Sequence, residues 1–265
     1  MTKNLSILVE TSKKMIQVAD ELLQACHRKE KKVSSQTRYV ISFFLRRSWE
    51  MFESFLFLVE ENRIIDVALL LRSLWEMGIS LGYIFAKDID ETESEKRALR
   101  YLLDGDRQQL KLVIGNLDGF KEFDPHIEKR RGVLEERISK MEGILKRKYK
   151  EEKWKLPSIE QRSKLSNYEV LRNAYNQAYR GLSNIEHHSY FFGDQYVDAK
   201  RCEPIKDPDH LRRYPQYRLE VSLFQFRLIF IEFLNVFNRE FRLGHEKQID
   251  EIRKLQDKEY ELLRG

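Results

Sequence analysis

The stretch AYRGLSNIEHHSYFFGDQY, residues 178–196, puts an arginine, two serines, adjacent histidines and five aromatics into one short run of a chain with six histidines in all. On a helix, Arg180 and His187 are seven residues apart and fall about 20° from one another on one face, two turns apart. Tyr179, Ser183 and His187 follow one another at every fourth position and share a stripe. A neutral imidazole serves as a base near pH 7, and a guanidinium stabilises charge that builds on phosphoryl oxygens. Together they suit cleavage of RNA beside a 2′-hydroxyl, where the substrate supplies its own nucleophile and no divalent ion is required.

A second polar pair lies in LLLRSLWEMG, residues 69–78, where Arg72 and Glu76 stand one turn apart in a segment otherwise almost wholly apolar. Charges in such a segment are costly unless paired. Two readings stay open. Either the two form an intrahelical pair that supports neighbouring polar groups, or they meet the Arg180/His187 stripe and fix the tautomer of the histidine.

Other chemistries fit less well. A metal site would draw on Glu76, Glu186, His187 and His188, but three consecutive side chains diverge by about 100° each on a helix and cannot all ligate one ion. The expectation is therefore no metal and no cofactor. Ser183 with His187 has the spacing of a nucleophile and its base, without a nucleophile elbow or an oxyanion hole. Tyr190, Phe191, Phe192 and Tyr196 could stack on bases, but core or dimer packing is the commoner use of such residues. The basic runs KRKYK, 146–150, and HLRR, 210–213, read chiefly as solvated faces. With the helix phased differently near Gly181, His188 rather than His187 would face Arg180.

The elements that must hold these residues are helical. Only 5 prolines and 11 glycines occur in 265 residues, too few for a turn-rich β protein. Lys and Arg number 48 against 43 Asp and Glu, so the net charge of +5 is spread over mixed, solvated helix faces and permits a polyanion without requiring one. The two cysteines, Cys26 and Cys202, are far apart and in no CxxC pattern, which with no signal-peptide pattern leads us to expect a reducing cytoplasm. The run Ile64 to Ala86 is long enough to span a bilayer but carries Asp66, Arg72 and Glu76, and reads as a buried core helix instead.

Apolar periodicity predicts an all-α bundle of about seven to nine helices. The expected elements are a helix from Asn4 to His27, a helix opened by Ser35 and closed at EENR, and the apolar helix from Ile64, packed against the second as a long central antiparallel hairpin. A capping box at Thr92/Glu95 predicts a helix to about Asn116, and Asp124-Pro125 one running to about Lys153 that either projects or covers one side of the bundle. Ser158/Gln161 and Ser166/Glu169 supply two more capping boxes, the second opening the helix that bears the histidines. Residues 193–215 read as a long irregular connection, and 216–243 as a Phe-rich helix ended by Gly244 before a last charged helix. One domain is expected over 1–265, with its core at about 30–243 and peripheral helices at 1–28 and 245–265.

Arg180-Gly-Leu-Ser-Asn-Ile-Glu-His187 resembles the arginine, four to six residues, histidine signature of the HEPN superfamily, with Gly181 where that superfamily usually has a polar residue. The resemblance implies an all-α, commonly dimeric, metal-independent ribonuclease of bacterial toxin or antiphage systems. It would make Arg180 and His187 catalytic, with Tyr179, Ser183, His188, Arg72 and Glu76 in support, and RNA, a second copy and an antitoxin or other protein partner as its partners. LLLRSLWEMGISLGYI and YNQAYRGLSNIEHHS are together similar to a widespread bacterial helical family of unknown function, which implies one domain over most of residues 30–240. The alternative to an enzyme is a non-catalytic helical module that binds a protein partner or small ligand and regulates it.

Overall fold

A computed structural model of the chain describes residues 3–27, 35–61, 63–120, 126–166, 168–175, 197–198, 203–204 and 216–264. Among them the chain is all-α: α1 (Lys3–His27), α2 (Ser35–Glu60), α3 (Ile64–Ile84), α4 (Glu91–Phe120), α5 (Ile127–Tyr149), α6 (Ile159–Lys164), α7 (Glu169–Ala174), α8 (Gln216–Phe241) and α9 (Glu246–Arg264). A two-residue antiparallel pair, Val197–Asp198 with Glu203–Pro204, lies within the stretch expected to be irregular.

The expected hairpin of α2 and α3 forms, joined by only a few residues, and α8 completes the centre by packing on both. Phenylalanines make the contact. Phe52 meets Phe226 and Phe230 at 4.9 and 4.7 Å between ring centroids, and Phe44 meets Phe233 at 6.3 Å. Residue numbers rise along α2 as they fall along α8, so the two run antiparallel. The α3 window Asp66–Ile84 is long and apolar enough to cross a membrane by length and composition, yet most of it is buried against other helices.

The terminal helices, expected at the periphery, share this core. Leu8, Met15, Ala19 and Leu22 of α1 and Ile249 of α9 are buried in the same cluster as Phe44 and Phe230. The stripe on α1 had signalled a buried face, but its partner, α8, is some two hundred residues away in sequence. The polar tie among the three helices is Arg227 of α8, fully buried, paired with Glu259 of α9 at 2.6 Å. Glu259 in turn accepts from Thr11 Oγ1 of α1 at 2.5 Å. Burial pulls the Arg227 pKa down, against the attraction of Glu259.

α5 packs on α4 as an antiparallel arm with its own small core of Leu99, Leu103, Met141 and Leu145. Its helix runs from Ile127 to Tyr149 rather than from Pro125 to Lys153. It is closed by Lys150 in the left-handed conformation, φ 58°, a C-cap that the uninterrupted charge pattern hid. Asp124 and Pro125 lie outside the described residues. The cap of α4 also differs from expectation: Asp90 Oδ1 accepts from the Glu93 amide at 2.7 Å, two residues before Thr92. Glu95 instead binds Lys148 of α5 at 2.7 Å, so the arm claims the side chain that the capping box would have used.

Candidate functional site

The site is built on α3. Arg72, Glu76 and Ser80 recur at every fourth position, the first two half-buried and Ser80 buried. A hydroxyl this deep needs partners, and Ser80 Oγ donates to the Glu76 carbonyl at 2.9 Å while accepting from Nη1 of Arg162. Arg162 is buried on α6, a short helix held by the expected capping box: Ser158 Oγ accepts from the Gln161 amide, and Gln161 Oε1 accepts from the Ser158 amide.

Tyr101 of α4 closes the cluster, its ring 5.2 Å from that of Phe44. Burial pushes its pKa up to about 12; the Arg162 guanidinium works against that rise, and the Glu76 and Asp104 carboxylates add to it. Glu76, Ser80, Arg162 and Tyr101 thus form one polar patch between α3, α4 and α6. Ser80, Tyr101 and Arg162 escaped the sequence reading. Ser80 had a signal, since it extends the Arg72–Glu76 spacing by one turn. Arg162 and Tyr101 had none, because each reaches the patch from a distant helix.

Two glycines let the chain approach α3 here. A Cβ on Gly78 would lie 3.1 Å from Leu171 Cδ2 and 2.8 Å from Ile229 Cγ2; one on Gly82 would overlap Ser166 Oγ and sit 2.8 Å from Leu171 Cδ1. Ser166 therefore packs into α3 and is not the cap of the next helix. Tyr168 holds that N-terminal position without a side-chain cap, and its amide reaches Ser166 Oγ at 3.4 Å. Ser166 lies against Gly82 and Leu171 between Gly82 and Gly78. The chain thus moves toward the Arg72 end of α3 as it passes through α7 to Tyr175, at the head of the histidine-bearing stretch. Tyr179, Arg180, Ser183, Glu186, His187 and His188 lie outside the described residues. Among the described residues no group of three or more His, Cys, Asp or Glu is placed to hold a metal.

A separate cleft of about 840 Å³ opens where α8 ends and α9 begins, lined by Lys87, Tyr168, Glu232, Asn235, Arg239 and Arg253 among others. Arg239 organises it, donating to Tyr168 Oη at 2.6 Å, to the Phe85 carbonyl at 2.9 Å and to Glu240 at 2.7 Å. Burial pushes Tyr168 up to about 12, with the neighbouring Arg239 opposing.

A family model matches residues 38–204, more than half of the chain, from the second turn of α2 to the strand pair. The chain belongs to DUF5677, a family of unknown function. Both blocks singled out in the sequence fall inside the matched DUF5677 span, so that resemblance holds at the level of the family. No curated protein and no solved structure matches the chain.

Proposed function

We propose that this DUF5677 protein is a metal-independent ribonuclease. His187 takes the proton of a substrate 2′-hydroxyl, whose oxygen attacks the adjacent phosphorus, and the 5′-oxygen of the next nucleotide leaves as a 2′,3′-cyclic phosphate forms. Arg180 stabilises the charge on the phosphoryl oxygens, while Tyr179, Ser183 and His188 orient substrate or base. Arg72 and Glu76 support them. The reading places the protein in the bacterial cytoplasm, acting on RNA in a toxin or antiphage role, as a homodimer or under an antitoxin. The observation that carries it is the course of α7, which is docked on α3 through Gly78 and Gly82 and leads toward the half-buried Arg72 and Glu76 just before the Arg180 stretch begins.

The test is incubation of the purified protein with total RNA and tRNA in EDTA, beside His187→Ala, Arg180→Ala and Arg72→Ala. Cleavage that survives EDTA, ends in 2′,3′-cyclic phosphate and is lost with His187→Ala or Arg180→Ala supports the reading. Equal cleavage by His187→Ala, or intact RNA in every lane, counts against it. The cleft around Arg239 favours the second reading, a non-catalytic module for a small ligand or protein partner, because it lies at the far end of α3 from Arg72 and falls in the size range of small-molecule sites. Intact RNA together with ligand-induced thermal stabilisation that is lost in Arg239→Ala would favour that second reading.

A further inference from the structure

Helix α2 buries one face, with Val40, Phe44, Phe52, Phe55 and Val59 in the core. The opposite face carries Tyr39, Phe43, Arg46, Glu50, Glu53 and Phe57, at spacings of four, three, four, three and four, which keep them on one stripe about 27 Å long. Three of the six are aromatics facing water: Tyr39 is 58% exposed, Phe43 45% and Phe57 63%. Scattered exposed aromatics mean nothing, but here Tyr39 and Phe43 stand at one end of a single stripe and Phe57 at the other, with Arg46, Glu50 and Glu53 between them.

The stripe is symmetric about position 48: 39 mirrors 57, 43 mirrors 53 and 46 mirrors 50. We propose that this face docks on the same face of a second copy, the two α2 helices running antiparallel across a two-fold axis near Ser48. In such a pairing residue i faces residue 96 − i of the other copy, and every contact is made twice. Tyr39 then meets Phe57 at both ends, Phe43 meets Glu53, and Arg46 meets Glu50 next to the axis. A parallel pairing in register would set Arg46 against Arg46 and Glu50 against Glu50, so the charges select the antiparallel one.

Arg46 is already poised for this. Its guanidinium lies 4.2 Å from the centroid of the Trp49 ring and its Nε donates to Glu50 at 3.0 Å, so little side-chain freedom is lost on docking. A single pair of helices is a small interface, of the class in which weak, concentration-dependent association is found. The inference gives a surface to the homodimer of the proposed function but stands apart from its chemistry, since no residue of the stripe belongs to the Glu76, Ser80, Tyr101 and Arg162 patch.

Sedimentation velocity on the full chain from about 1 to 100 µM tests it, with circular dichroism to confirm that the exposed substitutions leave the fold intact. A concentration-dependent dimer is expected. Arg46→Glu should weaken it by about tenfold or more, and Arg46→Glu with Glu50→Arg should restore it, because the swapped charges again oppose each other across the axis. Phe57→Glu should weaken it without rescue by Glu50→Arg. A wild-type chain that stays monomeric at the top of the range overturns the proposal and leaves the face to a partner of another kind. A dimer indifferent to Arg46→Glu, or a double variant no better than the single, overturns it as well and assigns the dimer to another face.

Discussion

Gly82 is where α3 admits the chain that leads to the histidines, and replacing it with alanine sets two known effects against each other. Removing a glycine from a helix interior gains up to about 1 kcal/mol in helix propensity. At Gly82, however, the new Cβ would overlap Ser166 Oγ, lie 2.8 Å from Leu171 Cδ1 and 3.2 Å from Ser166 Cβ. Ser166 is fully buried, so it must carry its backbone with it when it moves. Overpacking of this kind costs about 1–3 kcal/mol. With the gain of about 1 kcal/mol set against that cost, the net loss should be up to about 2 kcal/mol, a fall in melting temperature of up to about 8 °C for a chain of this size. Gly105 of α4 is the control, exposed with nothing within 4 Å of its would-be Cβ, so Gly105→Ala should raise the melting temperature by a few degrees. Adding Ser166→Ala to Gly82→Ala should return part of the loss, because the hydroxyl is the worst of the three contacts. Differential scanning calorimetry of the three variants beside the wild type decides it. If Gly82→Ala stabilises as much as Gly105→Ala does, α6 and α7 are not packed on α3 as described.

The buried tie between the terminal helices should be strongly non-additive. Arg227→Met leaves the Glu259 carboxylate buried beside Thr11 and should cost about 3–5 kcal/mol by urea unfolding, while Arg227→Met with Glu259→Met should cost much less; additive losses would mean that the pair is wetter than its geometry. Tyr101 and Tyr168 both have folded pKa values raised to about 12, so the neutral phenol is the form that the fold stabilises. Their contribution is fully present below the ordinary tyrosine pKa of about 10 and is lost as pH rises through about 12. Phenolate absorbance should show a late component near that pH, absent from Tyr101→Phe/Tyr168→Phe; a wild-type titration complete by pH 11 would refute the burial of both hydroxyls.

Most of the helical frame was legible because helix periodicity is local. The apolar stripe of α1, the run from Ile64 and the Phe-rich α8 each announce themselves within a single window, but α8 closes at Phe241 and not at the expected Gly244: Arg242 takes the left-handed turn at φ 46°, with Gly244 at φ 82° two residues further on. What failed was local chemistry with several near-equal solutions. Asp90, Thr92 and Ser94 all stand at the start of α4, and any could cap it; Asp90 does, while Glu95 is drawn away by Lys148 across the arm. Ser166 has the right spacing to Glu169 for a capping box, but its hydroxyl is spent in the groove that Gly82 leaves. Tertiary contact decides between such alternatives, and pattern reading has no access to it.

The candidate site divides along the same line. Arg72 and Glu76 were conspicuous because charge inside an apolar helix demands compensation, and that argument needs only the helix itself. The surroundings of Glu76 come from elsewhere: Tyr101 from α4 and Arg162 from α6, residues that look like ordinary members of amphipathic helices until Arg162 meets Ser80 and Tyr101 comes within the field of Glu76 and Arg162. Glycine carried the missing information. In a helix as apolar as α3, Gly78 and Gly82 contribute neither propensity nor buried area, so their presence one turn apart implies that something must approach the backbone there. What approaches is the segment that delivers the chain to Arg180. A pair of helical glycines that begins two residues after the half-buried Arg72 and Glu76 is therefore a stronger pointer to a composite polar site than the histidine spacing that first drew attention, because close approach is a requirement of packing, whereas two polar residues seven apart arise in many helices by chance.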